Sequence, residues 1–228
     1  MLFRSVVSAL EAERDAGRRA LAVVCSPDNP GGTLTGAAEI EAIAAVGFPV
    51  LLDVTYAAFA GEGAASGLAY ALPPVPGIVT TASLSKAYGL AGLRVGWACG
   101  PEDLIARLRE FGPPYSLSSV AVAAGIAALE ADGAALAAFI AEVRRERTAI
   151  EVELASLGAR TWAGSANFAT AFVKDAAALA TALADDGILV RTWPGYADRE
   201  NLVRITCPGD AEEFRALVDA LRGAKEYL

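Results

Sequence analysis

The sequence contains no histidine. Serine–histidine–acid triads, histidine metal ligands and histidine general bases are therefore excluded within this chain. Acid–base chemistry is left to Lys, Tyr, Asp, Glu or Cys. Cysteine is scarce: Cys25, Cys99 and Cys207 are far apart, odd in number and without metal-ligand spacing. In 228 residues they suit buried reduced thiols beside apolar runs better than a disulfide framework, and no metal site is expected. Positive charge is also short, with 19 Lys and Arg against 27 Asp and Glu, net -8. A general nucleic-acid binder needs a basic face, so that class is excluded. No apolar run reaches membrane length although the mean hydropathy is positive. The longest, Leu117 to Leu129, holds Ser118, Ser119 and Gly125 and is closed by Glu130 and Asp132. Arg4 followed by Glu11, Glu13 and Asp15 is no signal peptide. The default is a cytoplasmic, enzyme-like protein without a membrane or nucleic-acid partner.

Hydrophobic residues make up 54% and charged residues 20%, a globular composition long enough for a sizeable core. Residues 5–18 predict an amphipathic helix, followed by a strand from Ala20 to Cys25 and the turn-rich SPDNPGG. Thr35 is placed to cap a helix running to about Val46, with Glu39 completing a capping box. Strands are predicted at Pro49–Asp53, Gly77–Ala82 and Val95–Cys99. This alternation, apolar on both strand faces, suggests a mainly parallel sheet covered by helices. Polar residues at the C-terminal ends of such strands form a ligand crevice, and here they are Asn29, Asp53 and the Ser83–Lys86 segment. From Pro101 the pattern changes. Helices near 102–110, 117–131 and 134–156 lead to strands near 168–173, 187–191 and 202–206 and a helix from about Asp210 to Ala224. The expected division is a partial large domain, 1–133, and a small α+β domain, 134–228.

A lone lysine is ordinarily a solvated charge. Lys86, however, follows an apolar strand and precedes the small-residue loop GLAGLR, a setting in which lysines form Schiff bases. GLAGLRVG is not a dinucleotide fingerprint, because it lacks the G-x-G-x-x-G spacing and precedes a strand instead of opening a helix.

CSPDNPGG, DVTY, SLSKAYGLAGLRVG and LVRIT occur in the order and approximate spacing of class I/II (fold type I) pyridoxal-phosphate (PLP) aminotransferases. The chain most resembles the histidinol-phosphate aminotransferases and related threonine-phosphate decarboxylases; PPYSLSS and GILVR are similar to segments of that subgroup. The resemblance spans essentially the whole chain. It implies the fold type I architecture and amino-group transfer between an amino acid and a 2-oxo acid, with PLP as cofactor. Lys86 would hold PLP as a Schiff base and move the substrate proton. Asp53 would pair with the pyridine nitrogen, and Asn29 and Tyr56 with the 3′-oxygen. Ser83, Ser85 and Arg94 would take the phosphate, and Arg204 the substrate carboxylate. Arg191 and Asn167 resemble substrate-binding positions. A rim charge at Arg191, a turn residue at Asn167 and a core or lid aromatic at Tyr56 are the competing readings.

Relative to this family the chain is expected to lack an N-terminal part that carries a phosphate-cupping glycine loop, a ring-stacking aromatic and several strands, which would leave a sheet edge open. Gly31-Gly32 stands where Thr-Gly is usual, and Val54-Thr55 where Glu-Ala is common. Retention of Lys86, Asp53, Asn29, Tyr56, Arg94 and Arg204 together argues against long decay. A homodimer, or a complex with a chain supplying the lacking part, is the expected assembly. The alternatives are a non-catalytic truncated paralogue or regulatory subunit, and a PLP-dependent decarboxylase or cyclase of amino-acid metabolism.

Overall fold

The computed structural model describes residues 2–61, 75–131 and 133–228. They divide into two compact units, Met1–Asp28 with Leu34–Asp132, and Asn29–Thr33 with Gly133–Leu228.

In the first unit, α1 (Leu2–Asp15) precedes β1 (Ala22–Cys25), α2 (Ala37–Ala44), β2 (Val50–Asp53), β3 (Ile78–Ser83) and β4 (Gly96–Cys99). The sheet order is β1-β2-β3-β4. β1, β2 and β3 run parallel, and β4 returns antiparallel to β3. The expected mainly parallel sheet is thus present. One core gathers Leu10 of α1, Ile40 and Ile43 of α2, Val50 and Leu52 of β2 and Ile78 of β3. Each such aliphatic side chain, fully buried, is worth about 1.5–3 kcal/mol. α3 (Glu102–Phe111) and α4 (Ser119–Glu130) complete the unit. Asp132, expected to close the Leu117–Leu129 stretch, lies outside the described residues.

Two local expectations are corrected. The N-cap of α2 is Gly36, not Thr35; Glu39 Oε2 accepts the Gly36 N–H at 2.9 Å, so the glutamate half of the box forms. Thr35 is held instead by its own N–H, which donates to Ser26 Oγ at 2.9 Å and ties the end of β1 to the start of the helix. The strand expected at 187–191 is β7, Arg191–Thr192, shifted because Gly187 at φ +79° ends the preceding helix.

The second unit is a small α+β layer. Its antiparallel sheet orders β5 (Arg160–Thr161), β6 (Phe168–Phe172), β8 (Leu202–Thr206) and β7. Against it lie α5 (Gly133–Ser156), α6 (Ala176–Asp185) and α7 (Ala211–Gly223). Val143, Ile150, Leu179, Leu183, Val203, Ile205 and Leu221 are buried there. Asp175 and Asp210 cap α6 and α7, each accepting two backbone N–H groups.

Among the described residues no single helix is long and apolar enough to cross a membrane. All three cysteines are free; Cys207 is buried and Cys25 and Cys99 are half-buried. Burial raises the Cys207 thiol to about 12, an inert structural thiol.

α5 carries buried charges. Glu146 is fully enclosed, and its Oε2 accepts the Gly209 N–H at 2.7 Å. Arg147 donates to the Ala166 carbonyl at 2.6 Å, and Glu151 accepts the Gly164 N–H at 2.8 Å. Burial pushes the Glu146 carboxyl above the ordinary glutamate value of 4.5, more strongly than the Gly209 amide pulls it down. A folded-state value above the unfolded one contributes stability fully present below pH 4.5 and lost as pH rises through the raised value. Glu146→Gln keeps an acceptor for Gly209 without the titration. The urea midpoint of the variant should therefore improve relative to the parent between pH 5 and pH 7.5; a difference that does not change with pH contradicts this assignment.

Candidate functional site

β2 ends in Asp53, and the neighbouring parallel strand β3 sets Thr81 opposite it, two residues before its own end at Ser83. The C-terminal ends of adjacent parallel strands thus open side by side, the place where such sheets hold ligands. Asp53 Oδ1 accepts the Thr55 N–H at 2.9 Å, which turns the chain out of the strand. Tyr56 follows, buried at the start of the short 3₁₀ turn Ala57–Phe59. Lys86 Nζ lies 5.7 Å from the centroid of the Tyr56 ring, within cation–π range.

The turn that carries Lys86 is fixed at both ends. Ser83 Oγ accepts the Ser85 N–H at 3.0 Å, lies 2.6 Å from Ser85 Oγ and donates to the Val95 carbonyl at 3.2 Å. The Leu84 N–H donates to that same carbonyl, and the Lys86 carbonyl accepts the Gly89 N–H. Gly89 adopts φ +67°, a turn conformation suited to glycine. Leu84 and Ala87 point into the core while Ser85 and Lys86 stay half-buried. Arg94 stands at φ +57°, unusual for a residue with a Cβ, and its exposed guanidinium donates to the Ala91 carbonyl at 3.0 Å.

The second unit carries its own cluster. Residues 29 to 32 are knit into it one after another. Arg204 Nη1 donates to Asn29 Oδ1 at 2.7 Å, and the Thr170 hydroxyl to the Pro30 carbonyl at 2.6 Å. Trp162 Nε1 donates to the Gly31 carbonyl at 2.8 Å, and the Ser165 N–H to the Gly32 carbonyl at 2.7 Å. The Asn29 amide nitrogen has no acceptor among the described residues. Arg204 sits on β8 directly across from Arg191 on β7 and Thr170 on β6. Like charges opposite one another on antiparallel strands repel, and an anion between them removes the cost. The Arg204 guanidinium also lies 5.0 Å from the Phe168 ring centroid. The Asn167 carbonyl accepts the Cys207 N–H at 2.9 Å, which fixes its backbone beside β8.

Of the residues singled out in the sequence, Asp53, Tyr56, Ser83, Ser85, Lys86 and Arg94 belong to the first unit. Asn29, Asn167, Arg191 and Arg204 belong to the second. Asn29, which the sequence groups with Asp53 and Lys86 as a strand-end residue, has its side-chain oxygen hydrogen-bonded to Arg204. Phe168 and Thr170 escaped sequence reasoning because an aromatic and a threonine in a short strand signal β-propensity alone. Knowing the β6–β8 register would have found them.

The family model of the class I and II aminotransferases matches residues 3–221. A histidinol-phosphate aminotransferase of Ruegeria pomeroyi is 34% identical over 220 residues, covering 92% of this chain and 58% of the relative. Among solved structures, the histidinol-phosphate aminotransferase of Sinorhizobium meliloti in complex with pyridoxal-5′-phosphate aligns with a TM-score of 0.79 and 25% identity. That alignment covers 97% of this chain and 61% of the other. The L-threonine-O-3-phosphate decarboxylase of Porphyromonas gingivalis shares the fold at a TM-score of 0.76 and 23% identity, over 90% of this chain and 64% of its own. The chain thus spans less than two thirds of the length of these relatives.

The close approach of β4 to β3 requires Gly96, where an added Cβ would stand 2.7 Å from the Ala82 carbonyl oxygen. Gly96→Ala should force the strands apart beside Ser83 and lower the stability by about 1–3 kcal/mol, read as a reduced urea midpoint. An unchanged midpoint contradicts the close packing.

Proposed function

The chain belongs to the class I and II aminotransferase family, and on that premise we propose that it serves PLP-dependent transfer of an amino group between an amino acid and a 2-oxo acid. The observation that carries this reading is the fixed turn Ser83–Gly89, which holds an amine, two hydroxyls and the neighbouring Tyr56 ring at the mouth of a parallel sheet. When bound, PLP supplies an aldehyde that captures amines and a ring that accepts the electron pair released at the substrate α-carbon. The donor set fits such a group. It offers an amine for the aldehyde, a carboxylate for the ring nitrogen, and hydroxyls with a guanidinium for the phosphate.

Lys86 would hold the cofactor and then carry the proton to and from the substrate α-carbon with its freed amine. Asp53 would keep the ring nitrogen protonated. Tyr56 would donate to the 3′-oxygen, and Asn29, whose Oδ1 already holds Arg204, has its amide nitrogen left for the same atom. Ser83, Ser85 and Arg94 would take the phosphate, Arg94 by charge-assisted hydrogen bonds. Arg204, braced by Asn29 and Phe168, would grip the α-carboxylate, with Arg191 and Asn167 contacting the rest of the substrate. Because the chain spans 58% of the Ruegeria relative, the reading includes polypeptide beyond this chain, or a second copy of it, completing the site.

Mixing with PLP, with and without the segment of a full-length relative that this chain does not span, tests this. A visible absorption band should appear, and borohydride reduction should leave the cofactor mass on the Lys86 peptide. Lys86→Ala should lose both the band and the mass. No band and no label under either condition would sink the proposal. In the active form, Arg204→Lys should raise the KM for the amino acid by about tenfold or more, the loss of one charged hydrogen bond. Glutamate formation from 2-oxoglutarate separates amino transfer from decarboxylation, the chemistry of the Porphyromonas neighbour.

A further inference from the structure

Arg147 and Glu151, one turn apart on α5, form an ion pair at 3.9 Å with side chains 10% and 12% exposed. Both are held against the loop between β5 and β6. Glu151 Oε1 accepts the Gly164 N–H at 2.8 Å, and Arg147 Nη1 donates to the Ala166 carbonyl at 2.6 Å. Ser165, between them, turns its own N–H the other way, onto the Gly32 carbonyl at 2.7 Å. The loop is therefore pinned by α5 on one side and pins residues 29–32 on the other. These layers meet closely. A Cβ on Gly164 would stand 3.2 Å from Glu151 Oε1, and one on Gly32 would stand 3.4 Å from the Gly164 Cα and 3.5 Å from the Phe168 ring. The segment so placed begins with Asn29, whose Oδ1 accepts from Arg204 Nη1 at 2.7 Å. The Phe168 ring that abuts Gly32 is the one lying 5.0 Å from the Arg204 guanidinium.

Burial costs both charges. It pulls the Arg147 guanidinium below its ordinary value and pushes the Glu151 carboxyl above its own. A buried pair of this kind adds little net stability, and apolar residues of like size would pack α5 on the sheet as well. Apolar residues could not hold a backbone N–H and a carbonyl two residues apart. What the pair supplies is a fixed place for the loop. We propose that Arg147 and Glu151 are positioning residues for the substrate-carboxylate site. By fixing Gly164–Ala166 they fix residues 29–32, and through Asn29 and Phe168 they set the direction of the Arg204 guanidinium. Neither touches the substrate. The proposal rests on the reading of Arg204 as the carboxylate grip. A guanidinium holds a carboxylate through two parallel hydrogen bonds, so a small rotation of the fork loses one of them. Changes on α5 should therefore act on substrate affinity and leave proton transfer at Lys86, in the other unit, untouched.

The Asn29 side-chain amide and the Arg204 Nε–H are followed by heteronuclear NMR in the chain alone, with no cofactor or substrate present. Glu151→Asp keeps the charge and withdraws the carboxylate by one methylene. It should shift both signals and speed hydrogen exchange at the Ser165 amide. Glu151→Gln keeps the length and an acceptor for Gly164, so both signals should stay in place. Arg147→Met removes the donor to Ala166 and should act as Glu151→Asp does. Leu221→Ala weakens the same unit from α7, where Leu221 is fully buried, and should leave the two signals where they are. A role in stability alone predicts that Leu221→Ala moves them as much as the α5 variants do, or that none does. Either result overturns the proposal. If Arg147→Met does not fold, Glu151→Asp against Glu151→Gln decides. In the active form, Glu151→Asp should raise the KM for the amino acid by about threefold to tenfold, part of one charged hydrogen bond, with kcat unchanged. A lowered kcat at unchanged KM overturns the positioning role. So does an unchanged KM in Glu151→Asp beside a raised KM in Arg204→Lys. An unchanged KM in both, with the signals shifted as expected, leaves the coupling standing and removes Arg204 as the carboxylate grip.

Discussion

Parallel pairing of Val50–Asp53 with Ile78–Thr81 puts the ends of two strands at one level, and the chemistry of the first unit hangs on that level. A shift of one residue would turn Asp53 to the opposite side of the sheet and bury a carboxylate in place of Leu52. The register is held from within by Val50, Leu52 and Ile78, each at most 1% exposed. Apolar packing that never touches a ligand therefore decides where the carboxylate and the lysine turn emerge. The turn adds its own precision. Two N–H or O–H donors meet on the Val95 carbonyl, which ties the Ser83–Leu84 corner to the strand returning beside it.

The second unit reaches the same end by different means. Its strands are short, and three residues on the α5 helix that would ordinarily be solvated are enclosed or nearly so. Glu146 and Glu151 each hold the backbone N–H of a glycine, Gly209 and Gly164, and Arg147 holds a carbonyl. Such groups stabilise little in net terms, since desolvation offsets most of their attraction. What they fix is the path of two loops beside β6 and β8. Those strands set Arg204 between Thr170 and Arg191, and the loop before β6 takes up the Gly32 carbonyl through Ser165. A run of four consecutive hydrogen-bonded residues, 29 to 32, makes this stretch part of the second unit despite its early place in the chain.

Much of this was legible in sequence where a local rule was strong. Leu202–Thr206 is a strand at the expected bounds, Val50–Asp53 starts one residue later than expected, and Ile78–Ser83 is shifted by one residue at each end. The identities at the mouth of the sheet were legible because ordered motifs carry them. What was not legible depended on partners distant in sequence. Nothing local says that Asn29 bonds Arg204 across 175 positions, or that Arg191 faces Arg204 across a ladder. The cap of α2 was misplaced by one residue because Thr35 satisfies a standard capping pattern, but Ser26 engages its backbone first. The charges of α5 were invisible because a Glu-Arg pair in a long helix ordinarily reads as solvated.

The helix α4 and the lysine turn are not independent features. Gly125, one of the two buried positions of that helix, is glycine where a larger residue would press on Leu84 and Val95. Leu84 is fully buried and immediately precedes Ser85 and Lys86, while the Val95 carbonyl receives both the Ser83 hydroxyl and the Leu84 N–H. The buried side of α4 therefore backs the corner from which Lys86 projects. A helix of twelve residues held on one side frays readily, and fraying here removes the support behind Leu84. The packing of this apolar helix and the rigidity that an amine-holding lysine needs thus meet at the same two residues.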